Sequence, residues 1–240
     1  MVTVEQDSLG GTVSHYPRGK LVMTAPASLP LYGKVKFTET NKEALLDFWQ
    51  GVEAQTGARV NYQERVEAIH RTDRGFEVQT TRESYATRAV LLAIGRRGTP
   101  RKLAVPGENL AKVVYRLIDP AQYRGQHILV VGGGDSALEA AIGIAEEAGT
   151  TVAISYRGDA FSRAKEKNRK KIEVAEAAGR LRVLLRSNVV KIEDDAVEID
   201  HDGTPLRLAN EAVIICAGGI LPTAFLKSVG ITVETKYGTA

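Results

Sequence analysis

Gly132, Gly134 and Ala137 fall at the spacing G-x-G-x-x-A within HILVVGGGDSALEAAIGIAEEAGTTVAISYRG. Residues of these types, so spaced, form a backbone cradle for phosphate. The first glycine permits a tight turn. The second lets main-chain N–H groups approach a pyrophosphate, and the alanine lets a helix pack closely on a strand. Gly133, Asp135 and Ser136 complete the loop and open the helix, whose N-terminus offers N–H donors and a partial positive charge. The spacing alone is a weak signal, and a merely tight strand-to-helix turn is the plain alternative. Its setting strengthens it. Residues 128–131 read as a strand buried on both faces, 136–148 as a helix closed by Gly149, and 151–155 as a second, β-branched strand. That strand ends in Ser155-Tyr156-Arg157, and Arg163 follows a turn later. A site for NAD usually places Asp or Glu here, whereas guanidinium groups suit a 2′-phosphate. Arg157 and Arg163 therefore point to NADPH. The alternative is a solvated basic face, because Lys165, Lys167, Arg169, Lys170 and Lys171 continue the run. A nucleic-acid groove would interleave stacking aromatics, which this run lacks.

The elements that must position this loop are repeated. RAVLLAIGRRG, residues 88–98, and EAVIICAGG, residues 211–219, both read as buried strands running into a glycine turn. Before each lies an alternating strand pattern, carried by Val66, Ile69, Phe76 and Val78 in one copy and by Val189, Ile192, Val197 and Ile199 in the other. The interval from Ile69 to Gly95 equals that from Ile192 to Gly218. Each copy reads as the back half of a dinucleotide-binding fold, with an antiparallel meander inserted before a last parallel strand. The second copy has its own strand and glycine loop. The first begins at Val2-Thr3-Val4-Glu5, a short strand ending in an acid, the position that holds ribose hydroxyls. By analogy a strand, a glycine loop and a helix would precede it. The expectation is a fragment or a reading frame begun late; a true start with a degenerate first unit is the alternative.

These segments resemble the thioredoxin-reductase-like branch of the pyridine nucleotide-disulfide oxidoreductases, flavoproteins built from two dinucleotide domains. The resemblance covers nearly the whole chain. VEQDSLGG, HYP, LLAIGRRGTPRKLAVPGE, VVGGGDSALEAA, ISYRGDAFSRAK and AVIICAGGILPTAFL all resemble family segments. It implies an α/β fold with two Rossmann-like domains, the first incomplete: a partial FAD domain over 1–113, rejoined by about 220–240, and an NAD(P)H domain over 114–219. It implies FAD at Glu5, Gly10, Gly11, Thr12, Val66, Ala93 and Gly95, and NADPH at the glycine loop, Arg157, Arg163 and Gly218. His15 would lie near flavin or in a surface loop. The implied activity is an oxidoreductase passing hydride from NADPH to FAD and on to a small-molecule or small redox-protein acceptor. A non-catalytic NADP-binding module, or an inactive fragment of such a flavoprotein, is the alternative. No catalytic side chain and no metal site is expected, and a homodimer is compatible with the resemblance.

The chain departs from the thioredoxin reductases proper. YRLIDPAQYRG, residues 115–125, stands where they carry C-x-x-C, and it has no cysteine. The cysteine-free members fit better: bacillithiol-disulfide-reductase-like proteins and the ferredoxin–NADP reductases built on this scaffold, with YRL before the loop and SYRG after it leaning toward the former. A C-terminal Gly-Asp segment that contacts the flavin diphosphate would follow Ala240. Composition sets the outer limits. With 240 residues, 43% hydrophobic and 25% charged, the chain is ordinary globular material of one large or two small domains. A net charge of +3 is too mild to argue for nucleic acid. One cysteine, Cys216, excludes a disulfide within the chain, and its apolar strand marks it as a small hydrophobe. No run approaches the ~18 apolar residues of a spanning helix, and no basic-then-apolar leader is visible. A cytoplasmic location without a membrane partner is the expectation. Residues 41–49 read as a capped amphipathic helix with Trp49 in packing, and 16–36, with three prolines, as a long loop. Arg96, Arg97, Arg101 and Lys102 form a second basic patch of interdomain or surface character.

Overall fold

The computed structural model describes residues 1–95 and 99–234. The chain divides into two compact units, Met1–Gly98 with Leu221–Ala240, and Thr99–Ile220.

In the first unit, helix α1 (Lys42–Thr56) starts where Asn41 accepts a hydrogen bond from the Ala44 N–H at 2.8 Å, and it ends at Gly57 with φ +66°. It buries Leu45, and Phe48 and Trp49 make an edge-on ring pair, so Trp49 does pack. Strands β1 (Val66–Thr72), β2 (Gly75–Thr80) and β3 (Ser84–Thr87) form the expected antiparallel meander, with Ile69 and Val78 paired and buried. Residues 16–36 differ from the expected loop. Leu21–Met23 pairs with Glu39–Asn41, and Ala27–Leu29 pairs with Gly33–Val35, both antiparallel. Pro26 and Pro30 flank a strand and so remove no ladder donor from it. Residues 88–95 also differ, forming no strand, with Leu91 93% exposed. A buried parallel strand needs paired strands beside it, and no strand pairs with this run among the described residues. Arg96 and Arg97 lie outside the described residues.

The second unit is built on a parallel sheet of β4 (Val113–Val114), β5 (His127–Val131), β6 (Thr151–Ser155), β7 (Leu181–Leu184) and, after a meander, β11 (Ala212–Ile215). Its order is β7-β6-β5-β11-β4, and all pairings are parallel. Helix α2 (Asp135–Ala145) links β5 to β6, and α3 (Glu166–Ala177) links β6 to β7. The meander, β8 (Ser187–Ile192), β9 (Ala196–His201) and β10 (Thr204–Ala209), stands where the repeat placed it. The apolar runs are continuous because the sheet is covered on both faces. Ile128, Val130, Val152, Ile154, Ala212 and Ile214 pack with α2 and α3. Leu129, Val131, Ala153, Val213 and Ile215 pack with the meander. Each such large side chain contributes about 1.5–3 kcal/mol over leaving it exposed. Together these give the α/β dinucleotide-binding architecture read from the sequence. Among the described residues, no helix is long and apolar enough to cross a membrane.

Candidate functional site

In an open parallel sheet, ligands bind beyond the carboxyl ends of the strands. At that edge the second unit brings together three of the sequence-marked segments. β5 and β11 are neighbours, and the Cys216 N–H donates to the Val131 carbonyl at 2.7 Å. Gly132 follows β5 with φ +146°, and its N–H donates to the Ser155 carbonyl of β6 at 2.9 Å. A Cβ on Gly132 would lie 2.4 Å from the Cys216 carbonyl oxygen and 3.1 Å from Ala137 Cβ. Only glycine fits this turn, and Ala137, fully buried, is the close helix contact the motif calls for. A Cβ on Gly133 would meet the Tyr156 ring at 2.4 Å.

Gly134 is different. It is the N-cap of α2 in extended conformation (φ −103°, ψ 177°), and a Cβ there would meet nothing within 4 Å. Nothing packs on it, so its small size serves no protein contact. As N-cap it lends no side chain to the N–H groups that the first turn leaves without intrahelical partners. Gly218, with φ +82° beyond β11, also faces open space, and its carbonyl accepts from the Arg101 N–H at 3.0 Å.

Arg157 extends from the end of β6, and Arg163 lies on the connection to α3. Both are exposed, and neither side chain has a hydrogen-bond or ion-pair partner among the described residues. The connection itself is held. Tyr156 stacks on Phe161 with centroids 5.6 Å apart and planes at 22°. Asp135 Oδ1 accepts from the Lys165 N–H at 2.8 Å and from Asn168 Nδ2 at 2.7 Å. Asn168 Nδ2 also reaches Glu139 Oε1 at 3.2 Å, and Arg169 donates to the Ala164 carbonyl at 2.9 Å. Lys165, Lys167, Lys170 and Lys171 are exposed, a solvated basic face. Burial pushes the Cys216 thiol up to about 12, so it carries no thiolate near neutrality.

In the first unit Glu5 is tied to the segment that leads into β1, where Val66 is the first residue. The Glu5 N–H donates to Asn61 and the Glu5 carbonyl accepts from Glu64, while Glu5 Oε1 accepts from the Asp7 N–H at 2.9 Å. Glu64 is 1% exposed and takes hydroxyls from Thr80 (2.7 Å) and Tyr85 (2.9 Å). Chiefly the Thr80 bond holds its carboxyl below the usual range. Gly10 (φ +95°) sits against Leu46 of α1. The Gly11 carbonyl accepts the Ser14 hydroxyl, and Thr12 precedes the short 3-10 turn Val13–His15 without a side-chain bond to it. His15 Nε2 lies 2.6 Å from Asp7 Oδ2. Ala93 and Gly95 are exposed on the irregular segment, and no hydrogen bond among the described residues ties them to Glu5.

Sequence reasoning missed Tyr156 as the cover of Gly133, and it missed Asn168 entirely. A signal for Asn168 existed. With Ile172 and Ala175 it occupies the buried face of α3 at i, i+4 and i+7, and a polar side chain at such a position needs partners. Among the described residues, no three His, Cys, Asp or Glu side chains converge as metal ligands.

The parallel sheet, its glycine turn and the inserted meander define an α/β fold of the dinucleotide-binding type. Its family follows from comparison: the pyridine nucleotide-disulphide oxidoreductase profile matches residues 1–239, and the chain belongs to that family. Membership implies flavin and pyridine-nucleotide cofactors. The ferredoxin–NADP reductase of Thermus thermophilus is 32% identical over 182 residues, 71% of this chain and 54% of that protein. The chain thus spans about half the length of that relative. The bacilliredoxin reductase Bdr of Bacillus subtilis is 25% identical over 244 residues, 99% of this chain and 75% of that protein. The bacillithiol disulfide reductase Bdr structure from Staphylococcus aureus superposes with a TM-score of 0.84 at 24% identity, covering 97% of this chain and 73% of that one. The Bacillus cereus counterpart gives 0.86 at 22%, covering 97% and 74%.

Proposed function

We propose that the second unit binds NADPH at the glycine loop, and that the protein is an FAD-dependent reductase serving a small redox molecule or small redox protein in the cytoplasm. One observation carries this reading: the backbone of Gly134 is bare, extended and open, and Arg157 at the end of the neighbouring strand and Arg163 on the connection that follows have no side-chain partner among the described residues. These residues fit a dinucleotide. First-turn N–H groups of α2 bind its pyrophosphate, and Gly132 and Gly133 keep side chains out of the turn. Arg157 and Arg163 hold the 2′-phosphate as charge-assisted donors. Gly218 leaves room beside β11 for the far half of the coenzyme. In the first unit Glu5 holds the flavin ribose, with Gly10, Gly11, Thr12, Val66, Ala93 and Gly95 along the rest of the FAD. Bound there, NADPH would supply a hydride and FAD a two-electron relay to the acceptor. Such chemistry demands positioning from the protein and no acid, base or nucleophile. The single thiol, half-buried and protonated, takes no part.

Titration calorimetry tests the reading. The folded protein binds NADPH more tightly than NADH. Arg157→Ala weakens NADPH about tenfold or more and leaves NADH within about twofold, as loss of a charged phosphate contact requires. No heat with either coenzyme refutes the site, and equal losses refute the phosphate role.

A further inference from the structure

We infer that Asn168 and Asp135 are positioning residues that fix the connection 157–165 and thereby set preference for a 2′-phosphorylated coenzyme. The inference rests on coenzyme binding at the glycine loop. Arg157 and Arg163 stand on a stretch with no regular secondary structure. Ordering such a stretch around an anion costs backbone entropy. Here most of that ordering is already built in. Tyr156 and Phe161 stack at the front of the stretch, and the Gly158 carbonyl accepts from the Arg186 N–H at 2.9 Å. Phe161 and Ala164 are buried against the helical face of the sheet.

The rear of the stretch is held by an unusual cap. Lys165 is the N-cap of α3 and gives it no side-chain hydrogen bond. In a capping box, the side chain three residues on reaches back to the N-cap N–H. Asn168 occupies that position, but its amide and the Lys165 N–H both donate to Asp135 Oδ1 instead. Asp135 is the first residue of α2. One carboxylate therefore serves the N-termini of both helices, where a negative charge is favourable. The consequence is geometric: the helix end that faces the pyrophosphate is tied to the arm that carries Arg163. In a run of exposed cations, the neutral Asn168 is only 8% exposed.

Calorimetry with NADP+ and NAD+ on the whole chain, with circular dichroism as a check on folding, tests this. Asn168→Ala weakens NADP+ about tenfold and NAD+ no more than about twofold, the scale of a lost charge-assisted contact. Asp135→Asn keeps an oxygen acceptor for both donors and retains the NADP+/NAD+ ratio. Asp135→Ala reaches the same tie from its half-buried side and lowers that ratio, even if Asn168→Ala fails to fold. In the Arg157→Ala, Arg163→Ala background, Asn168→Ala adds no further loss. Equal weakening of both coenzymes, or a full extra loss in the arginine-free background, overturns the inference and leaves the NADPH site standing. Failure of the unaltered protein to bind either coenzyme overturns both.

Discussion

Replacing Gly134 with alanine should separate folding from coenzyme binding, because the two needs place different demands on this residue. At φ −103° and ψ 177° any L-residue is comfortable, and the added methyl meets no atom within 4 Å. Alanine restricts the unfolded chain, a gain of about 0.4–1 kcal/mol. It is also a poorer N-cap than glycine, a loss of about 0.5–1 kcal/mol. The two nearly cancel, so the melting temperature should stay within about 3 °C of the parent. Binding should respond quite differently. A pyrophosphate resting on this backbone must retreat from the methyl, weakening charge-assisted bonds of about 1.5–3 kcal/mol each. NADPH affinity should fall about 10- to 100-fold. Gly132→Ala is the contrast. Its Cβ would lie 2.4 Å from the Cys216 carbonyl oxygen, at φ +146°, so strain and overpacking should cost about 2–5 kcal/mol of stability. Scanning calorimetry and coenzyme titration read the two effects. A Gly134→Ala protein that binds NADPH undiminished refutes the pyrophosphate's place. One that melts far below the parent refutes the open space.

Two further outcomes are expected. Glu108 is partly buried, which raises its pKa, but bonds from the Leu103 N–H (2.7 Å), Tyr115 hydroxyl (2.9 Å) and Ala104 N–H (2.7 Å) outweigh this and hold it below the usual carboxylate value. A group depressed on folding stabilises above its unfolded value, about 4.3, and loses that contribution as pH falls through the folded value. Glu108→Gln should therefore lower the melting temperature at neutral pH, with the gap to the parent closing in acid; an equal gap at both ends of the range defeats this account. The Cys216 thiol, raised to about 12 by burial, should react with a disulfide reagent far more slowly in the native protein than in denaturant. Comparable rates would show it to be accessible.

Much of the second unit was legible because its signals are local. The run from His127 to Val131, the glycines after it and the alternating strands of the meander each obey a short-range rule, and the sheet satisfies them together. Even the repeat extends to detail, since both meanders shift register within their first strand, at Val66/Ala68 and at Val189/Lys191. Residues 88–95 misled because an apolar run signals burial without supplying its partner. Residues 212–215, of the same character, lie between β5 and β4 and become central. Asn168 was hidden for a different reason. Its cap is made through space by a carboxylate from another helix, and no pattern along the chain records such a bond. Tyr156 likewise meets Gly133 only because two parallel strands end side by side.

The second unit enters and leaves through one short antiparallel ribbon, Thr99–Pro100 against Gly219–Ile220. Entry and exit therefore stand about 5 Å apart, one interstrand spacing. To the first unit, whose chain resumes at Leu221, such a guest behaves as a tight hairpin and not as a long excursion. By the logarithmic law of ring closure, that difference relieves the host of about 3–4 kcal/mol of entropy once the guest has folded. Assembly should then run in sequence: the contiguous unit matures first, and its clasped stem returns the chain at Leu221 to the first unit.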